Sequence, residues 1–212
     1  MADQCPTSPT GYPSDCEILD GYRTRVRERV NKMDDPHYIR ALAKAKEIEL
    51  LLLDVDGVLT DGNLLYTGSG EESKAFNTQD GFGLRLLREA GVEVGVITAR
   101  KSDVVARRAA ELKMRYIYQG MGNKNEAFKE VMKVSGLKPY QIAYMGDDWL
   151  DLVLLQQVGL AIVPANGVRE AQEIAHYITE RSGGRGAVRD ACNLILESKN
   201  LVTELLQKYK NR

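Results

Sequence analysis

The chain has 212 residues, 43% of them hydrophobic, enough to bury one substantial core. Its 29 basic and 30 acidic side chains nearly cancel, so nothing suggests the broad basic field of a nucleic-acid binder or a polybasic stripe for anionic lipid. No run approaches the roughly 18 apolar residues of a membrane span, and residues 1–17 lack the apolar core of a secretory signal.

Cys5, Cys16 and Cys192 are odd in number and form no CxxC pair, which suggests neither a disulfide framework nor a zinc site. A reduced, soluble, cytoplasmic protein is the expectation. The first 16 residues hold three of the six prolines together with Ser, Thr and Gly, the composition of a mobile tail. From Asp20 to Glu49 charge dominates, with Val26, Val30 and Met33, then Ile39, Leu42 and Ala43, spaced as on helices interrupted at Asp35-Pro36. The expected organisation is a tail and helical arm over 1–47 and one larger domain over 48–212.

Past Ile48 the pattern becomes short apolar strands alternating with amphipathic helices. Strands are expected at Leu50–Val55, Val92–Thr98, Tyr116–Tyr118, Ile142–Met145 and Leu160–Val163. Helices are expected near Gly81–Ala90, Ser102–Leu112, Asn125–Ser135, Leu150–Val158 and Val168–Ala175. That alternation predicts an α/β fold with a central parallel sheet and right-handed crossovers. One stretch differs: Asn63–Thr67 and Ser73–Phe76 flank a glycine-rich turn and read as a β-hairpin. A final helix from Val188 to about Lys208 follows Gly183-Gly184-Arg185-Gly186.

The chemistry gathers at strand ends, where open parallel sheets bind ligands. Leu50 to Leu53 run into Asp54-Val55-Asp56-Gly57. Carboxylates ending a buried strand are costly unless compensated, and a divalent cation such as Mg²⁺ would compensate them. Residues two apart on a strand share a side, so Asp54 and Asp56 can serve one centre, one as nucleophile and one as proton donor. An exposed Asp-Gly turn is the plainer reading. Thr98 offers a hydroxyl at the second strand end, or a helix cap. Lys124 offers a point charge for phosphate, or solvated surface. Asp147 and Asp148, with Asp151 a turn later, form a second acidic group, or helix N-terminal charge. Arg85, Arg100 and Arg108 are clamps for an acidic substrate, or solvated helix arginines.

Asp54-x-Asp56, Thr98, Lys124 and Gly146-Asp147-Asp148, in that order, resemble the haloacid dehalogenase superfamily of phosphatases over roughly residues 48–200. Further segments, Lys74-Ala-Phe-Asn-Thr-Gln-Asp-Gly-Phe-Gly-Leu-Arg85, Ile97-Thr-Ala-Arg-Lys101 and Gly183-Gly-Arg-Gly-Ala-Val-Arg189, resemble its capless branch acting on 3-deoxy-D-manno-octulosonate 8-phosphate. The resemblance implies a three-layer Rossmann-like fold with a β-hairpin flap and no large cap domain. It implies that Asp54 is the nucleophile and Asp56 the general acid and base, while Thr98 and Lys124 bind the phosphoryl group. Mg²⁺ would be held by Asp54, the carbonyl of Asp56 and Asp147. Asn77, Thr78, Gln79, Asp80, Gly81, Arg85, Arg100 and Arg108 would contact the sugar acid, with Asp56 and Lys124 also touching substrate. It further implies a homotetramer in which a neighbour closes the site, and a step of lipopolysaccharide precursor synthesis. Two departures stand out: the long N-terminal extension, and Gln79 where many relatives would carry a basic residue. A phosphatase for a nine-carbon sugar-acid 9-phosphate and a non-catalytic sugar-phosphate-binding subunit are the alternatives. A receiver-type signalling module fits poorly, because there the adjacent acid pair opens the domain.

Overall fold

The computed structural model describes residues 15–28, 34–68 and 72–211. The chain divides into two compact units, Met1–Ile39 and Arg40–Arg212. Of the expected tail over 1–16, residues 1–14 lie outside the described residues, as do Val30 and Met33 of the expected arm and the tip of the hairpin at 69–71, while Asp15 and Cys16 are helical. The first unit carries helix α1 (Asp15–Glu28). Cys16 is disulfide-bonded, so the all-thiol expectation holds for Cys192 and not for Cys16. Helix α2 (Pro36–Ala45) starts on the proline that marked a break in the sequence. At the first helical position the missing N–H of proline would have no partner anyway, and the Asp35 carboxylate accepts the His37 N–H at 2.9 Å.

In the second unit, β1 (Leu50–Leu53) is followed by the hairpin strands β2 (Leu65–Tyr66) and β3 (Glu72–Ser73) and by α3 (Thr78–Glu89). Then come β4 (Glu93–Ile97), α4 (Asp103–Glu111), β5 (Tyr116–Tyr118), α5 (Lys124–Ser135) and β6 (Ile142–Met145). The chain closes with α6 (Leu152–Leu155), β7 (Leu160–Val163), α7 (Arg169–Glu173), β8 (Tyr177–Ile178), α8 (Ala187–Ser198) and α9 (Val202–Lys210).

Six strands form one sheet in the order β5-β4-β1-β6-β7-β8, every pair parallel. All four leucines of β1 are fully buried, as a central strand covered on both faces requires. Phe128 and Val131 of α5 pack with Leu50, Leu52 and Tyr144 in one core cluster, while α3 packs against α8. Helix α9 is tied to α3 through Glu89, which accepts from Lys208 Nζ at 2.7 Å and Tyr209 OH at 2.8 Å.

Three expectations are corrected. The helix expected at 150–158 is a 3₁₀ turn, Trp149–Asp151, leading into the short α6, because the Asp148 and Asp151 carboxylates cap the turn from both ends. The single C-terminal helix is broken at Asn200, whose φ of 59° lies in the left-handed region that asparagine tolerates. Edge strand β8 has only two residues, too few to show a period, and was not anticipated.

The strand order reverses beside β1: β4 and β5 lie on one side, and β6 to β8 on the other. Leu53 pairs with Met145 of β6 and Val96 of β4, so Asp54, Gly146-Asp147 and Thr98 emerge at one topological switch point. Because Phe128 is fully buried under the sheet, Phe128→Ala should destabilise the domain by about 3–5 kcal/mol. Urea unfolding monitored by circular dichroism measures this, and a loss below about 1 kcal/mol would contradict the packing described.

Candidate active site

Asp54 is fixed by its backbone: its N–H donates to Met145 O at 2.9 Å, locking the end of β1 to the end of β6. Lys124 opens α5, whose first turn is capped by the Asn123 side chain accepting from Asn125 N. That cap aims an almost wholly buried ammonium at the strand ends. Lys124 Nζ lies 3.0 Å from Asp54 Oδ1 and 2.5 Å from Asp151 Oδ1, and donates to Tyr144 OH at 3.1 Å. The second oxygen of Asp151 accepts the N–H groups of Asp147 and Asp148, at 2.9 and 3.2 Å. Tyr144 OH also donates to Asp151, at 2.5 Å. Asp151 is thus a buried charge with donors on both oxygens. It orients Lys124 and the Asp147 turn and has little capacity left to ligate anything else.

Asp147 has no such set of donors. Carboxylate oxygens of Asp54, Asp147 and Asp151 lie within 4.8 Å of one another, so three negative groups face one ammonium. Burial, with Lys124 only partly offsetting it and Asp151 adding to it, raises the Asp54 carboxyl to about 6. Burial and then the charges of Asp54, Asp151 and Asp148 raise Asp147 to about 7. Burial alone would push the Lys124 ammonium down, but Asp54 and Asp151 outweigh it and the net shift is upward. Such an excess of buried negative charge is what a divalent cation relieves. The backbone also leaves room for the Asp147 carboxylate: Gly57 has a φ of 87°, and a Cβ there would fall 2.0 Å from Asp147 Oδ2. The residues present therefore fit a cation held by Asp54 and Asp147. Asp148, by contrast, caps the 3₁₀ turn and accepts from Trp149 N at 2.7 Å.

Thr98 is buried at the end of β4, with its N–H on Tyr118 O and its hydroxyl 3.4 Å from Arg100 N. The Asp56 side chain faces cations. It pairs with Lys74, and Arg100 Nε lies 3.5 Å away. Arg100 Nη2 in turn donates to Tyr66 OH and Glu72 Oε1, both at 2.9 Å. The hairpin thus brings Lys74 onto Asp56, and Tyr66 and Glu72 onto Arg100, and none of the three was singled out as a site residue from sequence. A lysine inside the expected hairpin strand Ser73–Phe76 was the available signal for Lys74.

Among the other candidates, Thr78, Gly81, Arg85 and Arg108 line a cavity of about 710 Å³ between α3 and α4, with Arg88 and Lys113 on its wall. A second cavity, about 340 Å³, carries Lys74, Phe76, Thr78 and Arg108. The two share Thr78, Arg108 and Glu111, so a trough whose arginines and lysines outnumber Glu89 and Glu111 runs from the hairpin to the α3–α4 wall. Asn77, Gln79 and Asp80 are engaged elsewhere. Asn77 caps α3, accepting from Gln79 N and Asp80 N. Gln79 Oε1 accepts from Arg181 at 2.8 Å. Asp80 is buried and accepts the N–H groups of Gly186 and Arg189.

Comparison with known proteins assigns this arrangement. The haloacid dehalogenase-like hydrolase family matches over residues 110–190. The 3-deoxy-D-manno-octulosonate 8-phosphate phosphatase KdsC of Escherichia coli is 42% identical over 163 residues, which is 77% of this chain and 87% of that protein. The chain belongs to the 3-deoxy-D-manno-octulosonate 8-phosphate phosphatase family. Members solved as structures superimpose closely. The Moraxella catarrhalis phosphatase, in complex with magnesium ion, phosphate ion and KDO, has a TM-score of 0.78 at 40% identity, covering 80% of this chain and 97% of that one. The Yersinia pestis phosphatase has a TM-score of 0.76 at 39% identity, covering 77% and 89%. As in this phosphatase family, the sheet is open and layered between helices, and the chain is a phosphoric monoester hydrolase.

The raised Asp147 carboxyl has a consequence for stability. In metal-free protein the folded state holds a proton on Asp147 that the unfolded state releases between about pH 4 and 7. Stability therefore falls as pH rises through that window. In EDTA at pH 8, Asp147→Asn should melt a few degrees above the parent, and saturating Mg²⁺ should reverse the order. Thermal unfolding across pH tests this; an unchanged order with and without Mg²⁺ would show that Asp147 does not hold the cation.

Proposed function

We propose that the chain is an Mg²⁺-dependent phosphatase that hydrolyses 3-deoxy-D-manno-octulosonate 8-phosphate through an aspartyl-phosphate on Asp54. The observation that carries this is the Asp54 carboxylate at the switch point, 3.0 Å from Lys124 Nζ and clustered with Asp147. The substrate follows from the relatives' names and from the basic trough, which suits an anion bearing a carboxylate as well as a phosphate.

Mg²⁺ bound by Asp54, Asp147 and the carbonyl of Asp56 would draw charge from the phosphoryl oxygens. Asp54 attacks phosphorus in line, and the P–O bond to the sugar breaks. Lys124 is held on the attacking carboxylate in the resting state, so it is placed to meet the phosphoryl oxygens as charge moves onto them. The Thr98 hydroxyl donates to the same group. Asp56, protonated once substrate parts it from its cations, gives that proton to the leaving alkoxide, then takes one from the water that hydrolyses the aspartyl-phosphate. Before that, substrate must part Asp56 from Lys74 and Arg100, and these freed cations then face the sugar carboxylate. A homotetramer whose hairpins associate to close the site, cytoplasmic location and a place in lipopolysaccharide precursor synthesis belong to the same reading.

Phosphate release from a panel of sugar-acid phosphates, with Mg²⁺ and with EDTA, tests the proposal. Metal-dependent release fastest on the octulosonate 8-phosphate is expected. Preference for a nine-carbon 9-phosphate would keep the chemistry and change the substrate. Asp54→Asn should reduce turnover at least a thousandfold without loss of fold, on the order expected for removing a covalent nucleophile. Full activity in that variant would remove the nucleophile assignment. Arg100→Ala should raise KM for the sugar acid far more than for an aryl phosphate, and equal effects on both would exclude Arg100 from sugar recognition.

A further inference from the structure

The segment between β8 and α8 contains an arginine with more fixed partners than a surface arginine has. Arg181 bonds Asp190 at three points: its N–H reaches Oδ2 at 3.1 Å, and Nε and Nη2 reach Oδ1 at 3.1 and 2.6 Å. Its remaining guanidinium nitrogen, Nη1, donates to Gln79 Oε1 at 2.8 Å. Its carbonyl accepts the Thr179 hydroxyl at 2.6 Å. The guanidinium lies directly on Gly186, where a Cβ would fall 2.4 Å from Nη1. Exposed ion pairs contribute little, but this one is multidentate and its carboxylate is almost buried.

What Arg181 holds down is the glycine loop, and the loop touches the turn that carries the nucleophile. Gly184 N donates to Val58 O at 2.9 Å, and Gly183 N to Asn166 Oδ1 at 2.8 Å. A Cβ on Gly183 would lie 1.7 Å from Gly57 O, so the two backbones are in contact. Asp80 fixes the other end of the loop through Gly186 N and Arg189 N. Gly57 is the residue that leaves room for the Asp147 carboxylate. A displaced loop would therefore shift the turn between Asp54 and Asp61.

The bond to Gln79 has a second effect. A guanidinium only donates, so it can accept nothing from the amide NH₂ and must face the amide oxygen. That leaves the Gln79 NH₂ to offer two donors in the first turn of α3, beside Thr78 of the trough. Residue 79 is itself neutral, and Arg181 sets a positive charge directly behind it.

We propose that Arg181 is a positioning residue for sugar-acid recognition, fixing the Gly183–Gly186 loop against the nucleophile turn and turning Gln79 so that its NH₂ meets an oxygen of the substrate. The catalytic half of this rests on the function proposed above; the loop half does not.

Two substitutions test it in the full chain. Arg181→Met keeps the apolar stem and removes every side-chain donor. Gln79→Glu keeps an acceptor for Arg181 and removes the NH₂. Kinetics use the sugar-acid phosphate that the parent hydrolyses fastest, alongside p-nitrophenyl phosphate. Both variants should raise KM for the sugar acid roughly tenfold, the scale of one lost hydrogen bond to an anion. Gln79→Glu should leave kcat, and both parameters for the aryl phosphate, within about threefold, whereas Arg181→Met, by freeing the loop against the nucleophile turn, should also lower kcat on both substrates by a common factor. Hydrogen exchange should rise at residues 183–186 and 57–61 in Arg181→Met and stay unchanged in Gln79→Glu. In Gln79→Glu, equal losses on both substrates or an unchanged sugar-acid KM would overturn the recognition role. Unchanged exchange in Arg181→Met would overturn the loop role. If Arg181→Met does not fold, Gln79→Glu still decides recognition by its KM. If the parent turns over no sugar-acid phosphate, the proposed function and the recognition role fail together, and the exchange result still decides the loop.

Discussion

Asp54, Asp147 and Asp151 converge where β1 and β6 end, and their mutual repulsion, held in check by Lys124, is the constraint around which this end of the molecule is built. Water is largely excluded there, so each carboxylate must find donors, a counter-ion or a proton. Asp151 takes the first route, with the Lys124 ammonium, the Tyr144 hydroxyl and two backbone N–H groups. Asp54 takes the second, through Lys124. Asp147 has neither in full, and its carboxyl is pushed up to about 7. One under-compensated carboxylate beside a compensated one makes a site receptive to a cation and to a phosphoryl group.

The sheet supplies this concentration of charge at a cost that its apolar interior offsets. Burying β1 on both faces fixes the position of Asp54 to within the register of its neighbours, which loops alone would not do. Around the fixed floor lie two walls. The hairpin brings Lys74 and Glu72 to Asp56 and Arg100. The glycine loop lies against Gly57 and is anchored by Asp80, Asp190 and Arg181. The hairpin reaches Asp56, and the glycine loop reaches the backbone of Gly57 and Val58, so both walls bear on the turn that carries the Asp-x-Asp motif.

The two aspartates also differ in surroundings, which bears on the roles proposed for them. Asp54 sits in a buried acidic group with one ammonium, and Asp56 sits among cations brought by residues far away in sequence. A nucleophile must keep its lone pair on phosphorus, whereas a proton carrier must exchange with the leaving group and with water. The side of the strand end that opens toward the hairpin is the one suited to that exchange.

Much of this was legible in the sequence, for physical reasons. Five sheet strands and most helices follow from apolar periodicity, because burial on two faces demands runs such as Leu50 to Leu53. Asp54, Thr98, Lys124 and Asp147 could be picked out because strand ends of a parallel sheet are where ligands bind. What the sequence could not show depends on distance through space. Asp151 read as part of a second acidic group or as helix-end charge, and only the fold set Lys124 and Tyr144 against it. Lys74 gave no sign of meeting Asp56. The engagement of Gln79 by Arg181 spans about a hundred residues of chain. Local pattern determines which segments are buried and which polar groups stand at their ends. Only tertiary packing decides which of those groups share a hydrogen bond, because charge pairing is set by separation in space and leaves no period in the sequence.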